Sequence, residues 1–429
     1  MRYRVVSLLS VVVMLASAAK TAAAQDTVPI VTLPAASAKS ADTFGAIVDI
    51  RELPGGALLV DDGGRRQIKL LSSSLGDGTL VRDSAGLTRY GPRVMPLLPY
   101  LGDSTLFPDL VQRPSTVEIF DPHGAAARTL AMPTANDVAG LRNGAADNIG
   151  RLIFLGVPAI TRMPGHGLPP AAADSTPVLR ADLNLRRTDT IAYVALPLRR
   201  ADVLQTNGAI ISYWTADPLG TIDEWAVLTD GSLAMVRGHD YHIDWIRPDG
   251  RHESTAKLPF DWRQLTEGDK EKMVDSAVVL RRVAAGNNTL VNDVIRILPW
   301  RNTAPDGPVV PKPDTVGALY SRNNGGGLLT VLPAERPSAD RVFDYYAPLR
   351  KGAAMADMDD HLWILPTTSK QSKAGELVYD VVNTKGELFE RVRVPLGRYI
   401  VGFGHDGVVY MATGNLTSGF TIERTKLPK

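Results

Sequence analysis

A short unit of four apolar strands separated by turns recurs along this chain of 429 residues, and this repetition constrains the fold more than any other feature. In its clearest copy, residues 225–259, the first strand ends at Asp230-Gly231 and the fourth ends at Leu258-Pro259. Asp-Gly between apolar strands predicts a tight hairpin, because type I′ turns need positive φ at both central residues. Four antiparallel strands in each repeat are typical of a β-propeller blade.

The first hairpin of the unit can be counted along the sequence. Besides the copy at 225–259, it is predicted at residues 47–60, 94–107, 148–154, 353–364 and 399–411. The count predicts an all-β fold, a six-bladed propeller. The last unit lacks its fourth strand, and residues 28–34 end in the Leu-Pro that marks outer strands. We therefore expect this N-terminal strand to complete the last blade and close the ring.

The pattern lapses between residues 260 and 350, which predicts a helix-containing insertion between blades four and five. Residues 266–285 show helical periodicity, with Thr266 as a capping residue and Asp269 three positions later. A Pro/Gly-rich stretch follows the helix. An alternative is that residues 317–333 contribute a seventh blade.

The N-terminus has the features of a cleavable secretory signal peptide at residues 1–24. Arg2 and Arg4 precede an apolar run too short for a comfortable membrane span, and small residues follow it at 22–24. An uncleaved N-terminal anchor is the alternative. We expect a secreted or periplasmic protein whose single propeller domain covers residues 25–429, with no membrane span in the mature chain.

Composition excludes several kinds of site. The chain has no cysteine, which excludes disulfides, thiolate metal ligands and a lipidated N-terminal cysteine. Its net charge is +1, from 47 basic and 46 acidic residues, so there is no electrostatic reason to expect a nucleic-acid partner. We expect a monomer whose partner is a protein or a small-molecule ligand.

Three stretches resemble the six-bladed propellers of the NHL-repeat type, and within them a secreted bacterial group of unassigned function. They are residues 51–61, 357–364 and 401–410, the last of which looks like the usual closing blade of that group. The resemblance covers nearly all of the mature chain. It implies the fold and leaves the function open, because propellers serve as hydrolases, lyases, receptors and scaffolds alike.

Propeller sites usually lie at one mouth of the central channel, on loops and innermost strands. Polar residues predicted there, and therefore candidate ligand-binding residues, are Arg51, Asp223, Glu224 and Asp357. Propeller lactonases of the gluconolactonase group hold a divalent metal such as calcium through Glu, Asn and Asp. By that similarity Glu224, Asn143 and Asp147 are candidate ligands. The structural alternative is that these residues are solvated channel carboxylates and turn caps.

No compact catalytic motif accompanies the repeats: the sequence contains no nucleophile elbow and no phosphate-binding glycine loop. The favoured hypothesis is a non-catalytic binding propeller whose binding face is shaped by the insertion. The alternative is a divalent-metal-dependent hydrolase of the propeller lactonase type, acting at the channel mouth.

Overall fold

Six blade sheets form an all-β six-bladed propeller, as the repeats predicted: five have four antiparallel strands, and the sheet of blade five has a fifth strand that is parallel to its neighbour. The structure is a computed structural model. It describes residues 28–84, 90, 95–109, 116–132, 141, 144–156, 175–183, 185–195, 199–206, 209–216, 221–275, 319–322, 328–331, 342–415 and 417–428. The predicted signal peptide lies outside these residues.

Two short N-terminal strands, β1 (Ile30–Thr32) and β2 (Ala38–Lys39), precede the first three blades. The strands of blade one are β3 (Ile47–Glu52), β4 (Leu58–Asp62), β5 (Gln67–Leu71) and β6 (Thr79–Arg82). Those of blade two are β7 (Leu98–Pro99), β8 (Thr105–Asp109), β9 (Thr116–Phe120) and β10 (Ala126–Ala131). Those of blade three are β11 (Ala145–Ala146), β12 (Leu152–Leu155), β13 (Ser175–Asp182) and β14 (Arg187–Ala195).

The remaining strands complete the ring in chain order. After a separate hairpin, β15 (Arg199–Thr206) and β16 (Ala209–Ala216), blade four contains β17 (Glu224–Val227), β18 (Leu233–Arg237), β19 (His242–Ile246) and β20 (His252–Ser254). A second separate hairpin is formed by β21 (Leu319–Arg322) and β22 (Leu328–Val331). Blade five contains β23 (Ala354–Ala356), β24 (Leu362–Ile364), β25 (Leu377–Val382) and β26 (Leu388–Val394). Blade six contains β27 (Arg398–Phe403), β28 (Val408–Asn415) and β29 (Gly419–Lys426).

The same five-residue turn joins the first and second strands of every blade. In each copy the backbone N–H of the first residue donates to the carbonyl of the fifth, as Leu53 does to Ala57 in blade one at 2.8 Å. The fourth residue has positive φ in all six: Gly56, Asp103, Gly150, Gly231, Asp360 and Gly407. Glycine adopts this conformation without a steric penalty, and Asp tolerates it better than most residues. The local chemistry therefore specifies the turn six times.

The N-terminal segment pairs differently from the prediction. β1 lies parallel to β26, with Val31 opposite Val392, and forms a fifth strand on blade five. The fourth strand of blade six is instead β2, where Ala38 pairs with Arg424 of β29. The expectation that residues 28–34 supply this strand was wrong, because a Leu-Pro ending identifies an outer strand without identifying its neighbour. Leu33 of that ending is buried in the core shared by blades one, five and six.

Two hairpins lie outside the six blade sheets. β15–β16 was not predicted, and β21–β22 occupies the stretch considered for a seventh blade. Each forms a two-stranded sheet among the described residues. The predicted insertion helix is present as α1 at residues 267–275, and residues 276–285 lie outside the described chain.

A capping box begins α1, as the sequence predicted. Asp269 N–H donates to Thr266 Oγ1 at 3.1 Å, and Thr266 N–H donates back to Asp269 Oδ2 at 3.1 Å. The helix rests on a small core of its own formed by Leu265, Val274, Val342 and Tyr346. In the part of the chain that the structure describes, no helix is long and apolar enough to cross a membrane.

Candidate functional site

The six turns between first and second strands lie on one side of the ring, which we call the turn side. Neighbouring turns are bonded to each other there: Asn148 Nδ2 of blade three donates to the carbonyl of Asp230 in blade four at 2.8 Å. The first strands begin at the opposite, entry side. Of the candidate residues, Arg51, Asp147 and Asp357 belong to the turn side, whereas Asp223 and Glu224 belong to the entry side.

Asp147 is the first residue of the turn in blade three, and its carboxylate bonds within that turn. Oδ1 accepts the backbone N–H groups of Ile149 and Arg151 at 3.2 and 2.8 Å. Oδ2 accepts the Arg151 Nε–H at 2.6 Å. The side chain thus closes an Asx-type turn, the local arrangement that Asp favours.

Asp357 occupies the equivalent position in blade five and makes the same backbone bonds. Its Oδ1 accepts the N–H groups of Asp359 and His361 at 2.9 and 2.8 Å. Its Oδ2 lies 2.8 Å from the Trp363 Nε1–H donor and 2.9 Å from the His361 ring Nδ1. The hydrogen bond that the Asp357 carboxylate accepts from the His361 ring raises the pKa of His361, which burial alone would lower. Both carboxylate oxygens of Asp357 are therefore engaged inside the turn.

Other acidic residues of the turns join neighbouring blades. The carboxylate of Asp359 accepts the backbone N–H groups of Asp406 and Gly407 in blade six, at 3.2 and 2.6 Å. Asp360 Oδ1 accepts the backbone N–H of Asp230 in blade four at 3.0 Å. Glu52 of blade one accepts the Tyr410 hydroxyl of blade six at 2.6 Å. Together with the bond from Asn148 to Asp230, these bonds link the turn sides of blades three, four, five, six and one.

Arg51 is the exception among these polar side chains. It lies near the end of the first strand of blade one, only 6% exposed. Its guanidinium reaches across blade six to blade five, where Nη1 lies 4.0 Å from the sulfur of Met358. The buried Nε–H has no hydrogen-bond partner. Among the described residues the guanidinium therefore has no oxygen acceptor, although it carries five N–H donors.

Charge around Arg51 only partly compensates for its burial. Burial lowers the pKa of Arg51, and the carboxylates of Asp103, Glu52 and Asp49 act in the opposite direction without restoring it. The surroundings as a whole therefore disfavour the charged guanidinium. A buried charge that has only a weak sulfur acceptor is costly, and such a group in a native structure calls for an explanation.

Asp223 and Glu224 are held at the entry side by contacts between loops. Asp223 Oδ2 accepts the Arg237 Nη1–H at 2.7 Å and the backbone N–H of Ala195 at 2.9 Å, which joins blades three and four. Glu224 Oε2 accepts the backbone N–H of Gly352, just before blade five, at 2.9 Å. Both residues thus support the connections between blades, and Glu224 contacts the segment that returns from the insertion.

The residues proposed from the sequence as metal ligands do not fit one ion in this arrangement. Glu224 begins β17, whose four residues separate it by about 13 Å from the turn side, where Asp147 lies. Asp147 already accepts three hydrogen bonds from its own turn. Asn143 lies outside the described residues. No group of three or more His, Asp or Glu side chains suited to a metal occurs in the described part of the chain.

Several residues of the turn side were not singled out by the sequence. Met358, Asp103 and Tyr410 acquire significance only through neighbours from other blades. The shared turn offered one usable signal, since Asp103 stands where most of the other copies have Gly. A non-glycine residue with positive φ indicates a position where the side chain has been retained despite its backbone cost.

Comparison with known proteins identifies no family for this chain. The sequence matches no protein-family model and no curated protein. A DUF4221-family protein from Bacteroides vulgatus is 10% identical with a TM-score of 0.41, over 92% of this chain and 95% of that one. Virginiamycin B lyase from Staphylococcus aureus is 10% identical with a TM-score of 0.37, over 91% and 98%. A gluconolactonase from Xanthomonas campestris is 10% identical with a TM-score of 0.36, over 92% and 94%.

Proposed function

We propose that this protein is a secreted binding propeller that holds a ligand, or a protruding group of a protein partner, on Arg51 at the turn-side end of its channel. The observation that carries the proposal is the buried Arg51 guanidinium without an oxygen acceptor among the described residues. An oxygen of the ligand would supply the missing acceptor. Hydrogen bonds to a charged group are worth about 1.5–3 kcal/mol, so this single contact would contribute substantially to affinity.

The remaining polar groups of this mouth serve as the scaffold in the proposal. Their carboxylate oxygens already accept hydrogen bonds, either within a turn, as in Asp147 and Asp357, or between blades, as in Asp359 and Glu52. A site built on such fixed turns is preorganised, which reduces the entropy lost on binding. β20 ends and β23 begins at the entry side, so the two ends of the insertion lie away from the turn side that carries Arg51.

Arg391 provides a matched control for testing Arg51 by stability. Arg391 is 3% exposed, and its Nε–H donates to the buried Asp380 carboxylate at 2.9 Å. Arg391→Met should lower the free energy of unfolding by about 3–5 kcal/mol, because it leaves a buried carboxylate without its partner. Arg51→Met should leave the stability unchanged or raise it, because it removes a charge that its surroundings disfavour.

The experiment is thermal unfolding of both variants, combined with screening of small molecules for stabilisation of the wild type. A ligand that binds the native state raises the melting temperature by mass action. We expect a ligand whose stabilising effect is lost in Arg51→Met. If Arg51→Met loses as much stability as Arg391→Met, Arg51 is structural and the proposal is wrong.

The competing hypothesis, a divalent-metal-dependent hydrolase, is tested by melting the wild type with and without EDTA. The hydrolase would be favoured if EDTA caused a large loss of stability and one of calcium, zinc or manganese reversed it. Glu224→Gln should then remove this response to the metal. The placement of Glu224 and Asp147 on opposite sides of the ring gives that hypothesis no support.

A further inference from the structure

The side chain of Met358 in blade five meets the buried guanidinium of Arg51 from blade one. Arg51 Nη1 donates to the Met358 sulfur at 4.0 Å, and the buried Arg51 Nε–H has no hydrogen-bond partner among the described residues. A thioether sulfur is a weak acceptor, so this contact satisfies little of the hydrogen-bonding capacity of the guanidinium. Oxidation of the sulfur would place a stronger acceptor, a sulfoxide oxygen, at the same point.

Met358 is also accessible to an oxidant. Its side chain is only partly buried, as are those of Met273 and Met355, although each packs against a hydrophobic core. The chain has no cysteine, so methionine supplies all of its sulfur. The other methionines of the described chain are at most 6% exposed: Met95, Met132, Met235 and Met411. A polar oxidant in solution therefore reaches the three partly buried thioethers before the four buried ones.

The reaction needs an oxidant of the peroxide class, such as hydrogen peroxide. A lone pair of the sulfur attacks one oxygen of the peroxide, an S–O bond forms and the O–O bond breaks. The second oxygen takes the proton of the first and leaves as water. The sulfur is thereby oxidised by two electrons, and the peroxide is reduced to water. The change is reversible, since methionine sulfoxide reductases return the sulfoxide to the thioether.

The surroundings of Met358 suit a sulfoxide better than an apolar core does. A sulfoxide within apolar packing normally destabilises a protein, because its polar oxygen has no partner there. Met358 packs against the core shared by blades one, five and six, but its sulfur contacts the Arg51 guanidinium. The 4.0 Å between nitrogen and sulfur exceeds the ordinary N–H···O distance of about 2.7–3.2 Å by less than one bond length. An oxygen bound to the sulfur on this side therefore comes within hydrogen-bond range of Arg51.

We propose that Met358 is a site of reversible oxidation by a peroxide, at which the sulfoxide oxygen accepts a hydrogen bond from the Arg51 guanidinium. The sulfoxide supplies the oxygen acceptor that this buried guanidinium lacks in the described part of the chain. The modification therefore costs less stability here than at a methionine in purely apolar surroundings. A ligand held on Arg51 competes with the sulfoxide oxygen for the same donors, and this competition alone rests on the proposed function.

The first test oxidises the full mature protein with hydrogen peroxide and follows each methionine by mass spectrometry of its peptides. We expect Met358 to be oxidised at least about 10-fold faster than the four buried methionines, because accessibility limits the reaction. The effect on stability is measured in a Met273→Leu/Met355→Leu background, with and without Arg51→Leu. Oxidation should leave the melting temperature unchanged or raised when Arg51 is present, and should lower it when Arg51 is replaced. All other methionines are common to the two proteins, so the difference reports on the Arg51 contact.

Met358→Gln tests the same contact without an oxidant, because the Gln amide places a carbonyl oxygen on an unbranched side chain at this position. It should leave the melting temperature unchanged or raised, and Arg51→Leu should turn this into a loss, which a double-mutant cycle measures as coupling. Met273→Gln is the matched control: Met273 is also partly buried, but it packs against the small apolar core of α1. It should lower the melting temperature whether or not Arg51 is present. Comparison of the two Gln variants remains decisive if Arg51→Leu does not fold.

The outcomes separate the oxidation site from the proposed function. Oxidation of Met358 as slow as that of the buried methionines, or an equal loss of stability in Met358→Gln and Met273→Gln, would overturn the oxidation site and leave the proposed ligand site untouched. A compound that stabilises the wild type through Arg51 should lose its effect in Met358→Gln. A retained effect would overturn the competition and leave the oxidation site in place.

Discussion

The carboxylate of Asp359 accepts the backbone N–H of Gly407 at 2.6 Å, and this bond joins the turn of blade five to the turn of blade six. The residue two positions earlier, Asp357, bonds only within its own blade, where it caps the same turn. Of two acidic residues in one turn, Asp357 thus stabilises the turn itself and Asp359 joins two blades. The difference follows from where each side chain points, which sequence spacing does not reveal.

Asp359→Ala should loosen the contact between blades five and six. Because Asp359 is exposed, we expect a modest loss of about 1 kcal/mol in the free energy of unfolding. The backbone amide of Gly407 should exchange its hydrogen faster, since it loses its acceptor. Hydrogen exchange followed by mass spectrometry checks this. Asp249→Ala is the control, because Asp249 is exposed and bonds only to Arg251 in its own turn; an equal change in both variants would contradict the role assigned to Asp359.

Asp61 and Asp62, adjacent in β4, should respond in opposite ways to replacement by Asn. Asp61 is fully buried, its Oδ2 has no partner, and burial raises its pKa well above the ordinary value. A raised carboxyl pKa means that the folded state binds the proton more tightly than the unfolded state. The native protein therefore loses stability as the pH rises above about 3.9. Asp61→Asn should stabilise the protein by about 1–3 kcal/mol at neutral pH, and the gain should shrink as the pH falls towards 4.

Asp62→Asn should instead destabilise the protein by about 2 kcal/mol. Its two oxygens accept the backbone N–H groups of Gly45, Ala46 and Arg65, and the amide of Asn would turn an N–H towards one of these donors. Denaturant unfolding of the two variants at several pH values makes the comparison. A loss of stability in Asp61→Asn at neutral pH would show that the Asp61 carboxylate is charged and compensated.

His361 should make the stability depend on pH near neutrality. The hydrogen bond that His361 donates to the Asp357 carboxylate raises the pKa of His361 above 6.5. Because the pKa of His361 is higher in the folded state, the charged imidazole stabilises the fold fully at pH values below its unfolded-state pKa of about 6.5. This stabilisation is lost as the pH rises through the folded-state pKa. The wild type should therefore exceed His361→Gln in stability at about pH 5.5. The difference should fade by about pH 8.5.

The size of this effect should stay below about 1 kcal/mol, because the imidazole is partly exposed and screened by solvent. Thermal unfolding at the two pH values measures it. A difference that grows towards alkaline pH would contradict the assignment.

Truncation should distinguish the two N-terminal strands. A protein that begins at residue 35 loses β1 and the buried Leu33, which should cost about 1.5–3 kcal/mol. A protein that begins at residue 41 also loses β2 and the bond from Ile422 N–H to Ser40 Oγ at 3.0 Å. It leaves β29 as an open edge, so we expect it to be much less stable and to associate. Thermal unfolding measures the stability of each truncated protein, and sedimentation measures its association. Equal stability and equal association of the two proteins would contradict the separate roles of β1 and β2.

The six blades were predictable because their turns are specified locally. The pattern that makes residues 228–232 a turn depends on Gly231 with positive φ and on Asp230, which bonds to Ser232 two positions on. The capping box at Thr266 and Asp269 was predictable for the same reason. The N-terminal strands were not, since Leu33-Pro34 marks the end of an outer strand wherever that strand pairs.

The candidate site was predictable as a set of residue types and not as an arrangement. Arg51, expected on an innermost strand, lies in β3, whereas Asp357, expected on such a strand as well, is the first residue of the turn after β23. Glu224 lies on a first strand as expected, but at the end of β17 that begins at the entry side. Which carboxylate caps a turn and which joins two blades depends on neighbours up to 358 residues away, as for Glu52 and Tyr410. Arg51 has no oxygen acceptor in the described part of the chain for a reason of the same kind, because its guanidinium ends beside Met358 of blade five.

The local signals of this chain, alternating apolar strands and glycine or Asp turns, therefore determined the blades and their number, because hairpin chemistry acts over a few residues. The tertiary structure alone decided how the ring is joined and where a polar group is left without a partner. Both depend on which side chains meet when distant blades close into a ring, and that meeting is set by packing across the whole fold rather than by spacing along the chain.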